Sequence, residues 1–138
     1  MGDCQNEDLR VGFDRRLKLK FLGSQITTDA GLLAYRELDE TLGLTEMGAD
    51  VLTDCRLGSN KQHQLVPLLR QSIYSRLAGY EDVNDAQRLC VDPAMRHVVG
   101  GRASQPEKQA ASTSEVGRFE TETLSTQRNL TALMNLSG

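Results

Sequence analysis

The sequence predicts a mainly α-helical domain with a short β strand or hairpin at its N-terminus. Three observations predict it. Apolar residues recur every three to four positions through several leucine-rich stretches, and capping and stop signals bracket those stretches. One short stretch, 17–21, instead alternates apolar and basic residues. The 138 residues fit one domain that buries about two-thirds of the surface its unfolded chain exposes. With 38% hydrophobic residues, 4% aromatics and no Trp, the core must be built from Leu, Val and Ala, which suits packed helices. The same composition leaves few rings on which single-stranded bases could stack.

Residues 1–14 read as a flexible, acidic lead, with Asp3, Glu7, Asp8 and Asp14 against Arg10. The short β element occupies 15–28. Leu17, Leu19 and Phe21 alternate with Lys18 and Lys20 in the period of a half-buried strand, Gly23-Ser24 is a turn, and 25–27 is a return strand. A two-stranded piece is marginal alone and must lie on the helices or pair with strands from elsewhere. The helical region spans 29–138. Thr28 or Asp29 caps a first helix carrying Leu32, Leu33, Tyr35, Leu38 and Leu42, and Gly43 stops it. A helical turn follows at 46–52, then a polar loop at 56–62. The next helix, 61–78, is capped by Ser59 or Asn60 and buries Leu65, Leu68, Leu69, Ile73 and Leu77. Pro67 conflicts with that span unless the helix starts near Val66 or kinks there. Gly79 ends it. Asp82 or Asn84 caps a short helix to about Leu89. Asp92-Pro93 opens another, 93–99, with a capping Asp before a Pro at the first helical position. Ser112 and Glu115 have capping-box spacing and open a helix carrying Val116, Phe119 and Leu124. Leu130, Leu133, Met134 and Leu136 mark a last amphipathic stretch.

The formal charge of −3 is unevenly placed. Residues 56–102 carry seven Lys or Arg against four acids, so the middle is basic while the lead is acidic. That balance permits a phosphate-binding face without requiring one. Cys4, Cys55 and Cys90 are odd in number and lack CxxC spacing, so they read as reduced thiols of a cytoplasmic protein. The polar start has no signal-peptide core, and no apolar run approaches the ~20 residues of a membrane helix.

Several residues admit sharper readings. Glu81, Asp82 and Asp85 suggest a metal site, but acids at a helix start are explained by capping and by the helix dipole. Cys55, His63, Cys90 and His97 do not have the spacing of zinc ligand pairs. Ser112 has no His nearby in sequence, and capping accounts for it. Lys18 and Lys20 read as charges that protect an edge strand from aggregation.

Three stretches resemble the N-terminal region of DDE-type insertion-sequence transposases of group 1. They are Ile26-Thr27-Thr28-Asp29-Ala30-Gly31-Leu32-Leu33-Ala34-Tyr35-Arg36-Glu37, then Leu77-Ala78-Gly79-Tyr80-Glu81-Asp82-Val83-Asn84-Asp85-Ala86 with Asp92-Pro93-Ala94-Met95, then 111–120. Their order and spacing match over about 13–124, and the Gly-Tyr-Glu-Asp-x-Asn-Asp run is the most specific. The resemblance implies a bacterial recombinase that binds double-stranded DNA at the terminal inverted repeats of its element. It cuts and joins strands with three carboxylates and Mg²⁺ on an RNase H-like core. In the family the first catalytic Asp follows the third stretch, so the expectation here is a chain truncated before that core, with no catalytic or metal-binding residue of its own. The candidate DNA contacts are Arg118, Arg70, Arg76, Lys61 and Arg56, which would meet phosphates or guanine edges. For Arg118 the competing reading is a solvated face, or an ion pair with Glu115 or Glu122. Three functions stay open: DNA binding at element ends, a non-enzymatic fragment that self-associates or pairs with intact transposase, and a relic without function.

Overall fold

The computed structural model describes residues 9–19, 29, 31–57, 61–100 and 109–136. Helices dominate. In chain order they are α1 (Gly31–Leu42), α2 (Leu44–Val51), α3 (Leu65–Leu77), a 3₁₀ turn (Val83–Asp85), α4 (Ala86–Leu89), α5 (Pro93–Val98), α6 (Thr113–Arg118), a π-helical segment (Phe119–Leu124) and α7 (Gln127–Leu136). The β content is a two-residue antiparallel bridge of β1 (Leu9–Arg10) with β2 (Lys18–Leu19). Of the expected strand 17–21, Lys18–Leu19 is described as strand and pairs with Leu9–Arg10, inside the stretch read as a flexible lead, while Lys20 and Phe21 lie outside the described residues. The expected return strand 25–27 and the caps Thr28, Ser59 and Asn60 lie outside the described residues. Nor do the described residues form an RNase H-like core.

Local chemistry sets the helix boundaries. Gly43 takes φ 66° between α1 and α2, a left-handed conformation that favours glycine and lets one helix follow the other without a loop. Pro67 is the third residue of α3, which begins at Leu65 and not at 61. There its missing N–H is one of the donors that a helix start leaves unpaired, so the proline costs no backbone bond. The Asp82 carboxylate accepts the Asn84 N–H at 2.9 Å, and Asp92 accepts that of Met95 at 2.8 Å ahead of Pro93. Glu115 closes the expected capping box by accepting the Ser112 N–H at 3.3 Å.

α3 runs between two apolar clusters. On one side Tyr74 joins Leu32, Leu89, Cys90, Met95, Val98, Val99 and Ala110. On the other, Leu68 and Leu69 join Ala49, Leu52, Ala86, Ala111, Val116 and Phe119. Because α2, α5 and α6 all pack on α3, its polar side chains are covered too: Arg70, Gln71 and Ser72 are buried. The expected buried stripe is corrected accordingly. Leu68 and Leu69 are buried, but Ile73 is 39% and Leu77 50% exposed.

Two buried amides tie loops to helices. Gln71 donates to the Ala111 carbonyl at 2.7 Å and accepts its N–H at 2.8 Å, pairing with that peptide as a neighbouring strand would. Asn129 does the same at Thr53, accepting its N–H at 2.8 Å and donating to its carbonyl at 2.9 Å, and also donates to the Thr123 carbonyl. These bonds satisfy backbone groups that burial would otherwise leave unpaired.

Candidate nucleic-acid interface

The candidate cations fall into three environments. Arg70 is buried at 6% exposure, and its Nε donates to Asp39 (3.2 Å) and Thr45 (3.0 Å). Arg56 is half-buried, forks onto Asp54 (2.9 and 3.0 Å) and donates to the His63 carbonyl. These two guanidiniums hold the fold from inside. Lys61 and Arg76 are exposed but paired, Lys61 with Asp54 at 3.1 Å and Arg76 with both oxygens of Glu120 at 2.7 and 3.0 Å. Arg118, at the last position of α6, is exposed and has no ion pair among the described residues. Its expected alternative partner Glu115 is taken by His63 at 2.9 Å.

Three further arginines, not among the candidate contacts read from the sequence, have surroundings of their own. Arg88 lies over the Tyr80 ring, 5.0 Å from its centroid. Arg128, in α7, is exposed. Arg96, on α5, lines a cleft of about 480 Å³ with His63, Gln62, Gln109 and Glu115, and its Nε is buried without a partner among the described residues. Arg88 and Arg96 carried the sequence signal of a stretch in excess of basic charge, 56–102, and Arg88 also follows the second family-like stretch; Arg128 carried neither.

The carboxylates Asp39, Asp54, Glu115 and Glu120 are occupied. Asp39 accepts from Thr45, Arg70 and Tyr74. Burial pushes its acidity down, yet those donors outweigh burial and hold it below the usual carboxylate pKa. Burial likewise opposes ionisation of Glu115 and Glu120, while hydrogen bonds from His63 and Ser112 to the first, and from Arg76 and Ser72 to the second, hold both low. Arg56 does the same for Asp54. His63 sits between two acceptors, the Glu115 carboxylate and the Gln109 carbonyl at 3.1 Å, so only a ring protonated on both nitrogens donates to both. Among the described residues no three His, Cys, Asp or Glu side chains converge as a metal site. Asp82 serves as a helix cap, not as part of an acidic cluster.

A family model described as transposase DDE domain group 1 matches residues 9–137. The chain belongs to this transposase family. The match spans all three stretches on which the resemblance rests. Comparison with curated proteins gives no match, and neither does comparison with solved structures. Membership implies a role in transposition, DNA as the general partner and divalent metal as the general cofactor of the family. The described residues bring together no cluster that fits that metal, and Asp39, Asp54, Glu115 and Glu120 are already bonded to side chains of this chain. No helix among them is long and apolar enough to cross a membrane.

Proposed function

We propose that this chain is the part of a transposase that engages DNA rather than the part that cuts it. Its target would be the double-stranded terminal inverted repeats of the element. The observation that carries the reading is Arg118, an exposed guanidinium with no ion pair among the described residues, on a helix of a transposase-family chain. A free guanidinium reaches a phosphate or a guanine edge without first losing a protein partner. Arg76 and Lys61 rank behind it, because each must leave a carboxylate. Arg56 and Arg70 rank last, because their guanidiniums are committed to Asp54 and Asp39.

Phosphate contacts release counterions, so affinity falls with salt. Binding to a duplex carrying the terminal repeat, against a scrambled duplex, is measured across a salt series. The expected result is preference for the repeat and a clear salt slope, with Arg118→Ala weakening binding and lowering that slope by about one. Folded protein that binds neither duplex at low salt would rule the proposal out. Strand cleavage of the repeat by the purified chain with Mg²⁺ would show that the division between binding and cutting is wrong.

A further inference from the structure

The cleft of about 480 Å³ opens between the start of α3, the end of α5 and the start of α6. Its lining brings together Arg96, His63, Gln62, Gln109, Ser112 and Glu115. That volume lies in the range of clefts that take small ligands. Arg96 is the cation left over in it. Its Nε is closed off from solvent without a partner, and its guanidinium makes no hydrogen bond or ion pair among the described residues. The other covered arginines are treated differently: the buried Arg36 and Arg70 and the half-buried Arg56 each pair with a carboxylate. Holding a guanidinium partly out of water without an acceptor costs stability, and a ligand that brings the acceptor removes that cost.

The rest of the lining decides what that ligand is. Glu115 is the one acid among the described lining residues, and both its oxygens are engaged. One accepts from His63 at 2.9 Å, the other from the Ser112 N–H and hydroxyl at 3.3 Å. His63 also faces the Gln109 carbonyl at 3.1 Å, and a ring that donates to both neighbours is a cation that offsets the Glu115 charge. Arg96 is then uncancelled. The side chains of Gln62 and Gln109 are exposed and make no hydrogen bond among the described residues, so their amide N–H groups are free to donate. A guanidinium fork with neutral donors from other walls suits an anion with several acceptor oxygens pointing in different directions. We infer that this cleft binds a phosphate group, with Arg96 as its charged anchor and the Gln62 and Gln109 amides on its remaining oxygens. A DNA strand and a free phosphate compound both present that chemistry.

Inorganic phosphate is titrated into the full chain and thermal unfolding is followed, with sodium chloride at matched ionic strength as the reference. A ligand of the folded state raises the midpoint once its concentration passes its Kd. The expected result is a saturable rise with phosphate that chloride does not reproduce. Arg96→Gln should weaken the apparent affinity about tenfold. Gln62→Ala changes an exposed side chain, so the fold should persist, and it should weaken the affinity about threefold. Arg128→Ala removes an exposed cation outside the cleft and should leave the response as it is. Circular dichroism checks each variant; if Arg96→Gln does not fold, Gln62→Ala combined with Gln109→Ala decides in its place. No rise beyond that of chloride overturns the inference, and so does a rise that the cleft variants leave unchanged. Duplex binding then identifies the source of the phosphate. Arg96→Gln weakens it where the occupant is a DNA strand, and leaves it unchanged where the occupant is a free phosphate compound. The titration contains no DNA, so its outcome is separate from the fate of the DNA proposal.

Discussion

The molecule ties its two ends with different chemistry. At the α1–α3 corner the knot is a buried charge: Asp39 with Arg70, Thr45 and Tyr74. At the α6–α7 corner the knots are neutral amides, Gln71 on Ala111 and Asn129 on Thr53. Both satisfy buried polar groups. Only the first couples stability to protons, and only the first is worth far less than nothing when half of it is removed. A charge left alone in low dielectric has lost its water, whereas an amide left alone has lost one or two hydrogen bonds.

The largest expected effect follows from that asymmetry. Asp39→Ala leaves Arg70 buried without its carboxylate and is expected to cost about 3–5 kcal/mol in urea unfolding. The same site carries a pH signature. Because the folded Asp39 carboxyl is more acidic than the unfolded one, its contribution is complete above the unfolded pKa of about 3.9 and disappears as pH falls through the lower folded value. Stability should therefore fall on acidification, with a shallower slope in Asp39→Asn. An unchanged slope would mean that Glu115, Glu120 and Asp54 carry the acid sensitivity instead. Asn129→Ala strips the Thr53 N–H and carbonyl of their partner and should cost about 1–3 kcal/mol, by the same amount at neutral and at acid pH. Tyr74→Phe removes one of the donors on Asp39; a loss of about 1 kcal/mol is expected, with the acid limb moved upward. The smallest effect belongs to Arg76→Ala. Its pair with Glu120 is half in solvent, so thermal unfolding should shift by no more than about 1 kcal/mol. A larger cost there would show that Glu120 depends on Arg76 to stay ionised beside Ser72.

What the sequence made legible was punctuation. Asp92-Pro93, Ser112 with Glu115, Asp82 and Gly43 are short-range signals whose chemistry acts within one turn, and each stands where it was expected. Burial was less legible. Apolar periodicity assigns one inward face to a helix, but α3 is gripped from several sides, so Arg70, Gln71 and Ser72 are buried while Ile73 and Leu77 are exposed. Partners far apart in sequence left no local trace: nothing near Lys18 announces Leu9, and nothing near Asn129 announces Thr53. The same holds for the candidate interface. Residue type marked Arg56, Arg70, Arg76, Lys61 and Arg118 alike, and only the positions of Asp54, Asp39 and Glu120 divide the engaged from Arg118, which has no ion pair among the described residues.

Asn129 and Thr53 are separated by 76 residues. On the ribosome, Thr53 after α2 therefore waits for 76 further residues before Asn129 can tie its backbone down. α1, α2 and α3 can assemble early around Asp39, because Arg70 is only 31 residues away. The amide knot closes later, across a long loop whose ordering is rewarded only once α7 has been made. Until then Leu52 and its neighbours lack the cover that α7 provides, and this is the interval in which a nascent chain is most open to proteases and to misassociation.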